Sequence, residues 1–308
     1  MKVWENLIMR CVANGAVVPP ELLKPFTDST PLLKTPETLR ERFTEDGYVF
    51  FRGVLPPQVV SEAREEVATR LYEMDELLAP PTSAIASGRS RRTAPDFNRG
   101  DFWESVSNGT KIRYLSHGPA IRGVLRVLLG SEPLAHDFLY LRAAARGRAT
   151  GIHYDYPFFA RTSEKVVTAW VPVGDVPVSD GPLVVIEGSN KFSDLIADMR
   201  QIDVTRDPNK KAAYDIPAVA FAKSRGTHLL TENFKAGDML VLNMFTAHGS
   251  LDNSSTENRV RLSFDIRYQP SSEPADPRFF GKSPGGTTGA GYAELNGARP
   301  LLEEWHVR

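Results

Sequence analysis

Five short β-rich runs after about residue 134 place the strongest constraint on the fold of this chain. They are separated by Gly, Pro, Asp and Asn, which favour turns. Runs of this length and spacing are typical of a β-barrel or β-sandwich and not of a doubly wound α/β sheet. The five runs are residues 138–141, 166–173, 183–186, 239–245 and 259–268.

The first half of the chain carries helical patterns instead. Apolar residues recur at spacings of three and four in residues 56–74, and residues 35–45 and 119–129 also read as helices. We expect an α+β protein, mainly β with flanking helices, in one domain over residues 1–308. Its expected parts are an irregular leader (1–36), a mainly helical buttress with a loop (37–133), a β core (134–270) with a polar insertion (192–235) and a C-terminal tail (271–308).

The composition gives no indication of a nucleic-acid or membrane partner and bears on the compartment of the protein. The formal net charge is −1, which gives no bias towards nucleic acid. The chain has no apolar run of 18 residues, so no membrane span is expected, and the first ten residues lack the apolar core of a secretion signal. Cys11 is the only cysteine, which fits a reducing compartment, and we expect a cytoplasmic protein. Nothing in the sequence sets an oligomeric state.

Two histidines and an aspartate form a candidate metal site. His153 and Asp155 are two residues apart, so on a β-strand they point to the same face. His248 follows the apolar run 239–245, at the end of another strand. Two imidazoles and a carboxylate are the facial triad of Fe(II) oxygenases, although a zinc site with the same ligands is chemically feasible. Arg259 and Arg261 follow, and either could bind a carboxylate of a cosubstrate through its planar fork.

A loop over residues 80–101 has no periodicity and is rich in arginine. Arg99, with Phe102 just beyond it, could belong to a basic lid suited to an anionic substrate, or to a solvated loop with ordinary charges. Phe158, just past Asp155, could contact substrate, but core packing explains it equally well.

In this order, several segments resemble the phytanoyl-CoA dioxygenase family of Fe(II)/2-oxoglutarate oxygenases. Individually they are loose matches, but together they span most of the chain. They are residues 42–55, 150–155, 168–173, 180–191, 237–242 and 248–262. The resemblance implies a double-stranded β-helix, a jelly roll of the cupin-like kind, with helices against one side.

The resemblance also implies roles for individual residues. Fe(II) would be held by His153, Asp155 and His248. The family's cosubstrate arginine matches Arg259, eleven residues after His248, while Arg261 is left as a candidate substrate contact. Two further positions match those that line the cosubstrate site, and they are Ser250 and Trp170.

The implied activity is hydroxylation of a small molecule with O2, in which 2-oxoglutarate becomes succinate and CO2. Tyr154 stands where the family often has Gln, so it is a candidate for altering cosubstrate contacts or substrate preference. Asp155 disfavours a halogenase, because those relatives lose the carboxylate ligand. Desaturation, epoxidation and ring formation stay open, as do a non-catalytic ligand-binding protein and a zinc-dependent hydrolase.

Overall fold

The computed structural model describes residues 11–305 except residues 162, 208, 211 and 215. The strands in this part of the chain are β1 (Val12–Ala13), β2 (Ala16–Val17), β3 (Leu23–Lys24), β4 (Tyr48–Phe51), β5 (Pro133–Ala135), β6 (Tyr140–Ala144), β7 (Val167–Pro172), β8 (Leu183–Ile186), β9 (Leu229–Leu230), β10 (Met239–Asn243), β11 (His248–Ser250) and β12 (Arg261–Pro270). The α-helices are α1 (Pro36–Asp46), α2 (Pro57–Glu73), α3 (Arg99–Ser107), α4 (Thr110–His117), α5 (Pro119–Leu129), α6 (Tyr156–Phe159), α7 (Ser193–Met199) and α8 (Ala218–Arg225).

Two β-sheets form the core. The larger sheet has the order β4-β10-β7-β12, and both β5 and β6 pair with β12 at different points along its length. The smaller sheet has the order β11-β8-β9-β3. Trp170 and Leu240 from the larger sheet and Leu183 and Val185 from the smaller one belong to the same buried cluster, so the sheets face each other. This is the expected jelly-roll core with flanking helices.

The alternation of side chains along β7 divides the larger sheet into two faces. Thr168 and Trp170 point towards the smaller sheet, whereas Val171 belongs to the cluster formed with the helices. Val67 of α2 and Leu125 of α5 are fully buried in that second cluster. The helical layer therefore covers the outer face of the sheet and leaves its inner face for the site.

Two segments expected to be irregular contribute to the smaller sheet. Residues 23–24 of the predicted leader form β3, and residues 229–230 of the predicted insertion form β9, which pairs with β3 in parallel. Leu23 and Leu229 are buried there, so these short strands are held by packing that a local sequence pattern does not reveal. Residues 1–10 of the predicted leader lie outside the described residues.

The predicted loop over residues 80–101 contains two short 3-10 turns, Pro81–Ser83 and Arg91–Thr93, and α3 begins at Arg99. Its buried residue Arg92 binds both carboxylate oxygens of Glu76, at 2.7 and 3.1 Å. Arg92 also donates to the backbone carbonyls of Gly297, Ala298 and Arg299 in the C-terminal tail. A single buried guanidinium thus joins the loop, the segment that follows α2 and the tail.

No helix in residues 11–305, leaving aside the four residues named above, is long and apolar enough to span a bilayer.

Replacing Arg92 with Met should destabilise the fold strongly. The substitution leaves the Glu76 carboxylate buried without its cation, which typically costs about 3–5 kcal/mol of unfolding free energy. Arg91→Met is the matched control, since Arg91 pairs with Asp75 at an exposed position and should contribute less than about 1 kcal/mol. Urea unfolding measures both, and equal losses would contradict the structural role assigned to Arg92.

Candidate metal centre

Backbone pairing brings His153 and His248 together. The N–H of each donates to the carbonyl of the other, at 2.9 and 3.0 Å, in an antiparallel bridge. Gly249 follows directly, where an added Cβ would lie 2.6 Å from the carbonyl oxygen of Thr150. A side chain at this position would push the two histidine segments apart, so the close approach requires glycine.

Backbone hydrogen bonds also orient both imidazole rings. His153 Nδ1 lies 2.9 Å from the carbonyl of Gly151, and His248 Nδ1 lies 2.9 Å from the carbonyl of Thr246. A ring that donates from Nδ1 presents an unprotonated Nε2 for coordination. The two Nε2 atoms lie 3.7 and 3.9 Å from the oxygens of Asp155.

Asp155 is held by two neighbouring strands of the larger sheet. Thr168 Oγ1 donates to its Oδ2 at 2.5 Å, and Arg267 Nη2 lies 3.0 and 2.9 Å from its two oxygens. Burial alone would raise the pKa of Asp155, but the charge of Arg267, the two imidazoles and the Thr168 hydroxyl hold it well below its usual range. Asp155 is therefore a carboxylate at any physiological pH.

These residues fit a divalent metal ion. The ligand atoms of His153, Asp155 and His248 all lie within 4.8 Å of one another, and all three residues are buried. Burial, reinforced by the neighbouring His248, lowers the pKa of His153 to about 4, so its ring is neutral and able to coordinate. Two imidazoles and one carboxylate on one side of the ion leave the opposite positions open.

Two cavities meet at the triad. The narrower one runs between the sheets and is lined by Trp170, Ser250 and Arg261 together with both histidines. The wider one, of about 360 Å³, lies on the other side of His153 and Asp155. Its walls include apolar and aromatic side chains from several segments: Phe158, Phe159, Tyr214, Ile216, Leu295 and Trp305.

Arg261 is a buried cation in the narrower cavity. Its Nη1 donates to Ser263 Oγ at 3.0 Å, while its Nε has no hydrogen-bond partner among the described residues. Burial, with a further contribution from the charge of Arg142, lowers the pKa of Arg261 to about 10, so the group stays charged at neutral pH. A buried guanidinium with no carboxylate bound to it is costly, and an anionic ligand would offset this cost.

Arg259, the other arginine considered for binding a carboxylate of the cosubstrate, lies outside both cavities. Arg259 lines neither cavity, its side chain is 35% exposed, and it forms ion pairs with Asp180 and Glu257. Strand β12 begins only at Arg261. Arg259 instead lies between a turn, in which Asn258 has a φ of 56°, and the start of β12, where it forms an isolated bridge to Ile85, and its side chain pairs with Asp180 and Glu257 and does not enter the cavity.

Of the remaining predicted substrate residues, only Phe158 lines a cavity beside the triad. Phe158 lines the wider cavity and packs edge-on against the ring of His153. Tyr154 points away, into the cluster behind the smaller sheet, where its hydroxyl donates to the carbonyl of Ser189. Arg99 pairs with Glu303, and Phe102 is buried beneath Arg92. The two residues of the predicted basic lid therefore line neither cavity, and Arg99 binds the C-terminal tail instead.

Arg142, Thr168 and Arg267 are polar residues at the site that were not singled out from the sequence. A signal for Arg267 was present, because β12 alternates strictly between polar and apolar residues from Arg261 to Tyr268. Period two places Arg267 on the same face as Arg261. Arg142 stands alone among apolar residues in β6, and only the pairing of β6 with β12 brings it to the site.

A jelly roll with a buried His/Asp/His triad and open coordination positions defines the class of non-haem iron oxygenases. The family model described as "Phytanoyl-CoA dioxygenase (PhyH)" matches residues 43–261. The chain belongs to this family, and it is an oxygenase that uses Fe(II), 2-oxoglutarate and O2. The resemblance seen in the sequence is thereby confirmed.

Two bacterial relatives carry the same description, "1-deoxypentalenic acid 11-beta-hydroxylase". The protein from Streptomyces exfoliatus is 28% identical over 82% of this chain and 87% of its own, and that from Streptomyces arenae is 26% identical over 80% and 86%. The epimerase SnoN, solved with Fe3+, alpha-ketoglutarate and nogalamycin RO, has a TM-score of 0.54 at 22% identity, covering 79% of this chain and 87% of that one. At that identity, the likeness to SnoN concerns the fold.

Removing one ligand should abolish tight metal binding. His248→Ala should weaken Co(II) binding by at least about 100-fold, since even residues that only support the ligands contribute 10- to 100-fold. His228→Ala is the matched control, because His228 pairs with Glu187 away from the triad. Anaerobic calorimetric titration measures both variants, and tight binding retained by His248→Ala would exclude His248 as a ligand.

Proposed function

We propose that this protein hydroxylates a small, largely apolar molecule, with iron held by His153, Asp155 and His248. The observation that carries the proposal is the position of Arg261. A buried guanidinium with an unpaired Nε shares a narrow cavity with both ligand histidines. An iron triad next to an unsatisfied cation suits a chelating cosubstrate whose far end is a carboxylate.

The cosubstrate site proposed here consists of Arg261, Ser250 and Trp170. Arg261 supplies the positive charge for the far carboxylate of 2-oxoglutarate. The Oγ of Ser250 accepts the N–H of Thr150 at 2.8 Å, so its own proton is free to reach the same carboxylate. Trp170 is 1% exposed and closes the cavity with an apolar wall. In this proposal Arg261 replaces Arg259, to which the family resemblance pointed.

When bound, the iron supplies the oxidising chemistry: one atom of O2 enters the substrate and the other enters succinate, with release of CO2. The protein's residues determine where that chemistry takes place. Arg267 and Thr168 keep Asp155 ionised and hold it in place. The two Nδ1 hydrogen bonds orient the imidazole rings so that each Nε2 faces the metal position. Apolar walls such as Phe158 limit the access of water beside the triad.

Hydroxylation is the outcome supported best, because the two bacterial relatives are described as hydroxylases. The wider cavity, about 360 Å³, falls within the range of small-molecule sites. The compound in the relatives' description, 1-deoxypentalenic acid, is therefore the first to test, with succinate formation and product mass as readouts.

The proposed site is tested by anaerobic titration of the metal-free protein with Fe(II) and 2-oxoglutarate. A weak visible charge-transfer band should appear only when both are present. Folded protein that binds Fe(II) but gives no band with 2-oxoglutarate would contradict the proposal and favour a zinc hydrolase or a binding protein.

The two arginines should differ sharply in the same titration. Arg261→Met should raise the dissociation constant of 2-oxoglutarate about 30-fold or more, as expected when a buried charge loses its partner at a cost of roughly 2 kcal/mol. Arg259→Met removes only partly exposed ion pairs and should change it by less than about threefold. The reverse order would return the role to Arg259.

A further inference from the structure

The positive and negative charges of the side chains that line the two cavities do not cancel. Among the described residues there, the ionised groups are three guanidiniums and two carboxylates: Arg142, Arg261, Arg267, Asp155 and Asp265. Given the proposed function, Fe(II) adds two positive charges and 2-oxoglutarate cancels them with two negative ones. One positive charge therefore remains in a largely buried site. Because an uncompensated buried charge is costly, the site favours a substrate with a single negative charge.

Arg142 is the cation left available. It lies on β6 and lines both cavities, with its side chain 22% exposed. Its Nε donates to Asp265 at 2.5 Å, but neither Nη nitrogen has a hydrogen-bond partner in the described part of the chain. These two nitrogens form a planar fork, the geometry that binds a carboxylate through two parallel hydrogen bonds.

Arg267 is not available for the same task. Its Nη2 is bound to Asp155, and its guanidinium packs on the rings of Tyr140 and Phe159, at 4.3 and 4.9 Å from their centroids. Its Nε and Nη1 have no hydrogen-bond partner among the described residues, but the two rings cover the face of the guanidinium, and its position is fixed by Asp155. Arg267 is therefore a positioning residue for Asp155, and Arg261 is assigned to the cosubstrate.

The rest of the wider cavity is mostly apolar. Phe158, Tyr214, Ile216 and Leu295 are among its walls. A molecule that fills it must have an apolar body, and only one end of that body can meet the fork of Arg142. A phosphate monoester carries nearly two charges at neutral pH, whereas a carboxylate carries one. The charge count therefore fits a carboxylate.

We propose that the substrate is a compact apolar molecule with one carboxylate, and that Arg142 binds this carboxylate. This inference rests on the proposed function. Anchoring the substrate at one end beside the triad fixes which of its C–H bonds lies nearest the iron. Arg142 thus determines both the class of substrate and the position of hydroxylation.

Binding of matched acids and esters tests this inference. The probes are 1-adamantanecarboxylate and decanoate, each beside its methyl ester, titrated anaerobically into protein loaded with Fe(II) and 2-oxoglutarate. Calorimetry and the change in the visible band report binding without turnover. Wild-type protein should bind at least one acid about tenfold more tightly than its ester, since hydrogen bonds to charged groups contribute that much or more.

Three variants assign the effect to Arg142. Arg142→Met should weaken acid binding about tenfold or more and change ester binding by less than about threefold. Arg142→Lys, which keeps the charge beside Asp265 but loses the fork, should fall between wild type and Arg142→Met. Arg146→Met is the matched control, because Arg146 is an exposed arginine just beyond the same strand and should leave binding unchanged.

The outcomes separate this inference from the proposed function. If the band forms in wild-type protein but the esters bind as well as the acids, or neither acid binds, the inference is overturned and the cosubstrate site stands. Undiminished acid binding by Arg142→Met and Arg142→Lys overturns it as well. If the band never forms in wild-type protein, the proposed function itself fails before the acids are tested.

Discussion

The buried carboxylate of Asp155 is the group on which the rest of the site depends. It lies next to α6, outside both sheets, yet its hydrogen bonds come from Thr168 on β7 and Arg267 on β12. Those two residues are directly opposite each other in the antiparallel pairing of the larger sheet. The register of two central strands thus determines where the metal ligand stands. A shift of either strand by one residue would turn its supporting side chain towards the helices.

Much of this arrangement could be predicted from the sequence, because the signals are local. The interval of two between His153 and Asp155 and the position of His248 after an apolar run predicted the triad. Tyr154, between these two ligands, points to the opposite face in the structure, as alternation along an extended chain requires. Assigning Tyr154 to the substrate came from the family comparison, in which another residue stands at that position. In this case the geometry of the strand was the better guide.

The parts that could not be predicted depend on where a strand begins and on contacts far apart in sequence. Arg259 and Arg261 share a face only if one continuous strand includes both, but β12 begins only at Arg261 and Arg259 forms an isolated bridge to Ile85 before it. Arg99 was a candidate for a lid over the substrate because its loop is basic, but its partner, Glu303, is 204 residues away. An anionic substrate is nevertheless favoured for another reason, the free fork of Arg142.

The C-terminal tail links substrate choice to stability. Leu295 and Trp305 form part of the cavity wall, and the backbone between them is held by Arg92 and Arg148. A protein engineer who exchanges this tail to change specificity would also remove the acceptors of two buried guanidiniums. A functional chimera therefore has to transfer the tail that forms the cavity wall together with the two arginines, Arg92 and Arg148, that bind its backbone.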